Sequence, residues 1–340
     1  MRLLKSLNIQ AKTLDIAISL GYLVVFLLYY EVIRIPTISS YISSTPPQFI
    51  FFPLLLLIGY RFIRKESLDL YLALFSFFFL WTFFVAGNHD QFRNTAFLYS
   101  DQKHPARICV WNTAYFFDFD RDLGFKTLKE KNCDIIMLQE VWKSENALPE
   151  LIAARDTYLP QFDVRNFEEF VLFIPPGSDL SLIKSNSRGF FGATLHIKDE
   201  YLTVYNVHLW NPLVPRPLVV DDKVTYIDAE KERVDQINEL LSELTASSKK
   251  ESLVVVSGDF NSMQNHEVIR KINKIGEGKK QLSIISSGIF AQRNTYPASR
   301  PFIQIDYSYI SQVARPKAKK TEYCVPRASD HCLIVLDVLL

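Results

Sequence analysis

The sequence predicts an α/β domain behind a membrane anchor, and three observations carry that reading. Three long apolar stretches crowd the first 90 of 340 residues. Short β-rich runs separated by polar segments fill residues 105–340, and an amphipathic helical pattern interrupts them at about 229–245. Hydrophobic residues make up 48% of the chain, and the excess sits in the first quarter.

The anchor, residues 1–88, is expected to hold three transmembrane helices at about 16–32, 49–63 and 70–86. A bilayer core needs roughly 20 apolar residues per helix, and about 17 suffice. The second stretch is short and carries Arg61, whose stem can snorkel to the interface. Three buried helices of a soluble domain are the competing explanation, but the crowding of the three stretches favours spans. Arg2, Lys5 and Lys12 flank the first stretch, and Arg61, Arg64 and Lys65 follow the second, whereas the first connection offers only Arg34. This asymmetry places the amino terminus in the cytoplasm and everything after about residue 88 outside it. A cleaved signal peptide is disfavoured, because further spans follow and no small-residue cleavage site is evident. Residues 89–104 read as a linker.

From residue 105 the runs ARICVWNTAYF, DIIMLQEVW, GATLHI, YLTVYNVHLW, SLVVVSGDF, IDYSYI and CLIVLDVLL read as strands. Several are continuously apolar, as strands covered on both faces are. Val234, Ile237, Leu240, Leu241 and Leu244 recur at helical spacing with charges opposite them. The resulting mixed domain of roughly 235 residues is large enough for its own core.

Cys109, Cys133, Cys324 and Cys332 form no CxxC pair and no zinc spacing, which argues against a metal cluster. Three of them lie in or beside apolar runs and are expected as buried thiols. An oxidising compartment permits a disulfide, whose pairing the sequence does not specify. Residues 1–103 hold nine Lys/Arg and six Asp/Glu, leaving 29 against 31, a net −2, for residues 104–340. That is not the basic footprint of a tight nucleic-acid binder. The run ARPKAKK (314–320) reads as a solvated loop or a contact for phosphate or anionic lipid.

The runs end in a particular set of polar residues: Asn112, Gln139 with Glu140, His208, Asp259 with Asn261, Asp306, and Asp330 with His331. Singly, each is ordinary turn chemistry. Jointly and in this order, the chain resembles the endonuclease/exonuclease/phosphatase superfamily, which includes DNase I-like nucleases, neutral sphingomyelinases and inositol polyphosphate 5-phosphatases. The resemblance covers about 105–340 and rests on Asn112, LQE (138–140), NVHL (206–209), GDFN (258–261), IDY (305–307) and SDH (329–331). It implies two mixed β-sheets packed face to face with flanking helices, a DNase I-like four-layer sandwich with its site at one edge. The anchor is similar to that of bacterial membrane-bound members, which implies an inner-membrane protein with an extracytoplasmic catalytic domain.

The expected chemistry is Mg²⁺-dependent hydrolysis of a phosphodiester, with Mn²⁺ as a substitute. Attack by water on an anionic ester needs charge neutralisation, an activated nucleophile and help for the departing oxygen. Glu140, Asn112 and Asp330 are the expected metal ligands, since Mg²⁺ prefers hard oxygen donors. By resemblance, Asp259 orients or deprotonates water, Asn261 positions it, Asp306 fixes the tautomer of His331, and His208 meets a phosphate oxygen or the leaving group. Asp259 and His331 are both candidates for the base. Arg233 and Gln236 match positions that buttress the site in the family, or lie on a solvated helix face. TYP (295–297) resembles a loop of membrane-bound relatives. Gln304 stands where many nucleases have a nearby arginine, which weakens a nuclease assignment. His89, His104, His196 and His266 fall in no motif and are expected to be structural or exposed. The substrate is either a nucleic acid or a phospholipid; a phosphomonoesterase and an inactive membrane scaffold are the alternatives. The scaffold is disfavoured because every metal and base position is filled.

Overall fold

Runs of β-branched and aromatic residues dominate the second part of the chain, and they form strands where these residues cluster. The computed structural model describes residues 105–339 apart from 115–118, 142–146, 184–188, 198–199, 212–225, 248–252, 265, 275–281, 285–293, 302 and 312–317, together with Gly21 and Ile58. The three predicted spans, save those two residues, and the linker at 89–104 lie outside the described residues. Among the described residues no helix is long and apolar enough to cross a membrane. The chain divides into two compact units, Met1–His89 and Asp90–Leu340.

The second unit begins with β1 (Ala106–Asn112), α1 (Arg121–Lys131), β2 (Ile135–Gln139) and α2 (Ala147–Tyr158). Then come β3 (Asp163–Phe167), β4 (Phe170–Ile174), β5 (Leu180–Ile183), β6 (Phe190–Ile197) and β7 (Glu200–His208). After α3 (Tyr226–Ser247) follow β8 (Leu253–Asp259), α4 (Glu267–Lys274), β9 (Leu282–Ile284), β10 (Asp306–Ser311), β11 (Ala318–Tyr323) and β12 (Leu333–Val338). All seven predicted strands are present, and the predicted helix is α3.

The strands form two six-stranded sheets: sheet one in the order β11-β12-β1-β2-β4-β3, and sheet two in the order β5-β6-β7-β8-β10-β9. Each has a parallel pair among otherwise antiparallel strands, β1 with β2 and β7 with β8. Alternate residues face opposite sides of a strand. Ile108 and Val110 of β1 therefore join Met137, Leu172, Val204, Val255 and Ile310 between the sheets. Cys109 and Trp111 point the other way, into a layer shared with Phe125 and Leu128 of α1 and Leu151 of α2. On sheet two, Tyr205, Val256, Tyr307 and Tyr309 pack against Ile237 and Leu240 of α3 and Val268, Ile269 and Ile272 of α4. Helices, sheet, sheet and helices are thus stacked in four layers, the DNase I-like sandwich.

Two expectations are corrected here. The cysteines are not buried thiols: Cys109 is bonded to Cys133, and Cys324 to Cys332. The first pair ties β1 to the left-handed turn at Asn132 that ends α1. Part of ARPKAKK, residues 318–320, is strand, not solvated loop; Lys320 is buried, 3.2 Å from the Glu322 carboxylate. A buried ammonium is tolerated only with such a partner.

Candidate active site

The topology delivers the polar residues to one rim. Because β1 and β2 are parallel, Asn112 lies opposite Gln139 at their C-terminal ends. Parallel pairing of β7 and β8 likewise sets His208 beside Asp259. β10 runs antiparallel to β8, so its first residue, Asp306, is the partner of Asp259. β12 runs antiparallel to β1, and the segment entering it brings Asp330 and His331 to the same end.

Left-handed backbone marks this rim. Ala114, Glu140 and Asn261 have φ of 46°, 52° and 46°, a region that costs a non-glycine residue about 1–3 kcal/mol. At Glu140 the turn is held by Thr113, whose hydroxyl donates toward the carbonyls of Gln139 and Glu140 at 3.1 Å each. Gly258 has φ 147°, and a Cβ there would overlap the Val207 carbonyl on the neighbouring strand. Only glycine lets β8 approach β7 closely enough to set Asp259 at its position.

The site's contacts run from one sheet to the other. Asn112 Nδ2 donates to Glu140 Oε1 at 3.2 Å and to Asp259 Oδ2 at 3.0 Å. His331 Nδ1 is 3.1 Å from Asp306 Oδ2, and its Nε2 is 3.7 Å from Asp259 Oδ2. His208 Nε2 is 3.0 Å from Glu140 Oε1, and its Nδ1 is 3.3 Å from Glu169 Oε2. Asn261 donates its backbone N–H to Asp259 Oδ1 at 2.7 Å and its side-chain amide to the Leu209 carbonyl at 2.8 Å. One residue deeper, the Gln139 amide donates to Asn206 Oδ1, and Asn206 donates to the Leu138 carbonyl at 3.0 Å. All eight predicted site residues are therefore gathered at one place. Asn112, His208, Asp259, Asp306 and His331 are buried there, while Glu140, Asn261 and Asp330 are partly open.

Burial and charge pull these groups apart in acidity. Burial pushes the Asp259 carboxyl up to about 6; the His331 charge opposes the shift and Asp306 adds to it. Burial disfavours the His331 imidazolium, but Asp306 and Asp259 outweigh that and raise it to about 10. Burial would likewise raise Glu140, yet its contacts with His208 and Asn112 hold it at about 2. His208 is held well above the ordinary range, because Glu169 and Glu140 together outweigh its burial. Burial raises Asp330, with a smaller contribution from Glu140. The result is a rim of ionised acid, protonated imidazoles and one carboxyl poised near neutrality.

The donor set suits a divalent cation. Buried Asp330 Oδ1 has no hydrogen-bond partner among the described residues, and Glu140 remains an anion at the same rim. Ligand atoms of Asp259, Asp306 and His331 also lie within 4.8 Å of one another. The short His331–Asp306 contact, however, already occupies those two as a dyad. Glu140, Asp330 and the Asn112 carbonyl are hard oxygen donors that leave coordination positions open, the arrangement Mg²⁺ favours.

Four further residues join the site. Glu169, in the turn between β3 and β4, forms the second flank of His208. It was not singled out from the sequence, where it is one of two adjacent glutamates in NFEEF. Tyr296 places its ring 4.9 Å from that of His331 and stays half-exposed; burial and the nearby Asp330, Asp259 and Glu140 raise its phenol and keep it a donor. Its loop is stitched to the SDH segment by Ala298 N–H to the Asp330 carbonyl and Cys332 N–H to the Thr295 carbonyl. Arg233 and Gln236 are buried, not on a solvated face: Arg233 donates to the Asn261 carbonyl, and Gln236 accepts from Trp210 N–H at 2.9 Å.

No curated protein matches the chain. Among solved structures, it is similar to TDP2 from Caenorhabditis elegans, with 14% identity over 83% of this chain and 92% of that one and a TM-score of 0.50. Mannosyl-6-phosphatase from Bacteroides thetaiotaomicron matches at 11% identity over 69% of this chain and 99% of its own, with a TM-score of 0.47. Beta toxin from Staphylococcus aureus matches at 12% identity over 68% and 99%, with a TM-score of 0.48. At these identities the likeness speaks for the fold alone. The Endonuclease/Exonuclease/phosphatase family model matches residues 110–331, a span containing the whole constellation from Asn112 to His331, and the chain belongs to that family of phosphoric ester hydrolases.

Proposed function

We propose that the protein is a Mg²⁺-dependent phosphodiesterase, anchored in a membrane with its catalytic domain on the extracytoplasmic side and acting on a phospholipid. One observation carries the catalytic part: the His331–Asp306 dyad at 3.1 Å sits beside Asp259, in one rim with the Glu140 carboxylate. Glu140, Asn112 and Asp330 would hold the cation, Mg²⁺ or in its place Mn²⁺. When bound, it supplies charge neutralisation at a phosphate oxygen and polarises the ester. Asp259, aligned by the Asn261 N–H and the Asn112 amide, takes the proton of the attacking water. That assignment follows from the two acids flanking His331, which favour imidazolium and make it a cation for the phosphoryl oxygens, not a base. His208, protonated between Glu140 and Glu169, faces a phosphate oxygen or the departing one.

A phospholipid is favoured over nucleic acid because residues 104–340 carry a net −2, which gives no general support for tracking a polyanionic backbone. The three predicted spans would hold the site at its substrate. The two disulfides support an oxidising compartment. The test is a panel of sphingomyelin, glycerophospholipids, phosphoinositides, DNA, RNA and a phosphomonoester given to the full-length chain with Mg²⁺ and with EDTA. Mg²⁺-dependent release from lipid diesters is expected. Cleavage confined to nucleic acid or to the monoester would replace the substrate assignment, and EDTA-resistant turnover would remove the metal from the reading.

A further inference from the structure

We infer that His266 and Glu230 are positioning residues for Asn261, acting through Arg233. His266 was expected to be structural or exposed, Glu230 was not singled out from the sequence, and both contact Arg233.

Arg233 of α3 is fully buried and donates through Nη1 to the Asn261 carbonyl. Its Nη2 pairs with Glu230 Oε2, one helical turn earlier. The other oxygen of Glu230, Oε1, is 2.9 Å from His266 Nε2, and Arg233 Nη2 is 2.8 Å from the same ring nitrogen. His266 is the residue before α4, and its Nδ1 lies 3.3 Å from the Val268 N–H, where it caps the helix. An Nδ1 that accepts leaves the proton on Nε2, so the ring and the guanidinium both require Glu230 as acceptor. The Glu230 carboxylate is thereby clamped from two sides, and it in turn fixes the guanidinium.

A cap alone does not explain a histidine at this position, since Asp, Asn or Ser caps a helix as well with less bulk to bury. The second ring nitrogen does explain it, because one ring caps α4 through Nδ1 and reaches Glu230 of α3 through Nε2 at the same time. The far end of the chain of contacts is Asn261, held in left-handed backbone at φ 46°. That conformation aims its N–H at Asp259 Oδ1 and its amide at Leu209. If Arg233 swings away from the Asn261 carbonyl, the turn is free to relax and the Asp259 carboxylate loses its alignment.

Two variants of His266 separate cap from relay. His266→Asn keeps an acceptor near the Nδ1 position but cannot reach Glu230. His266→Gln places an amide donor near the Nε2 position and gives up the cap. The full-length chain and both variants are compared by hydrogen exchange at the Asn261 and Val268 amides, by melting temperature, and by kcat and KM on bis(p-nitrophenyl) phosphate with Mg²⁺. Asn is expected to protect Val268 but expose Asn261, with kcat down about 10- to 100-fold and KM little changed. Gln is expected to do the reverse, melting lower yet keeping Asn261 protected and kcat within about threefold of the parent. Equal protection of Asn261 in both variants, or a kcat that follows melting temperature, overturns the inference. The kinetic arm rests on the phosphodiesterase reading and the exchange arm does not, so a parent chain inert to the diester refutes that reading while Asn261 exchange still decides this one.

Discussion

The two sheets are built alike around a central parallel pair, yet they contribute different chemistry to the rim. Sheet one brings Asn112, Glu140, Asp330 and His331, whereas sheet two brings His208, Asp259, Asn261 and Asp306. Each hands its histidine to the other's carboxylates: His331 lies against Asp306 and Asp259, and His208 against Glu140 and Glu169. The comparison teaches that neither sheet holds a working half-site. The groups proposed for the cation gather on sheet one, and the group proposed for the proton lies on sheet two.

The sharpest way to break that division is to remove one acid from each side. Glu140→Ala is expected to abolish Mg²⁺-dependent turnover and to weaken Mn²⁺ binding measured by calorimetry. Asp259→Asn is expected to lose about 10²- to 10⁴-fold in kcat, the range of a lost general base, while still binding Mn²⁺. Equal loss of Mn²⁺ affinity in both variants would merge the two roles.

A smaller effect tests the dyad that crosses the seam. In the parent, kcat/KM should rise with pH as Asp259 ionises near 6 and fall as His331 deprotonates near 10. The sign follows from a base that must be charged and a cation that must stay protonated. Asp306→Asn removes the adjacent carboxylate that does most to raise His331, so its alkaline limb should move to lower pH. A limb that stays in place would detach His331 from that role. The smallest change is expected from Glu169→Gln, which leaves His208 with Glu140 alone: about a 10- to 100-fold fall in kcat, the usual cost of an outer partner. Parent-like rates in that variant would make Glu169 a bystander.

Legibility in the sequence followed burial only in part. The seven predicted strands are mostly covered by the other sheet or by helices, yet β4, the fully buried apolar run FVLFI, was not predicted. β3 and β5 mix exposed and half-buried residues, and β11 mixes buried, partly buried and exposed ones, as edge strands do, so they lack a buried apolar run. α1 buries Gly124 and Thr127 beside Phe125 and Leu128, which blurs its apolar stripe. The eight candidate residues were singled out by their joint order and the family resemblance, since each alone is ordinary turn chemistry, and the fold brings them to one rim. Glu169 was not, because a turn glutamate resembles surface until the opposite sheet supplies His208. Lys320 was misread for a related reason: its partner Glu322 lies beyond the basic run that caught attention. The cysteine pairs could not be read, since each depends on how an element folds back, Cys133 behind the αL turn and Cys324 across the loop into β12.

The pairing of β1 with β12 also joins the two ends of the domain. Trp111, on the first strand, donates its indole N–H to the His331 carbonyl at 2.9 Å across 220 residues of chain, and Asn112 is held by Ser329 over a similar span. Sheet one stays open, with β1 lacking a neighbour on one side, until β12 has been made and delivered. A chain lacking the segment that enters β12 would hold His208, Asp259, Asn261 and Asp306 of sheet two without Asp330 and His331, so the proposed site needs β12 to be complete.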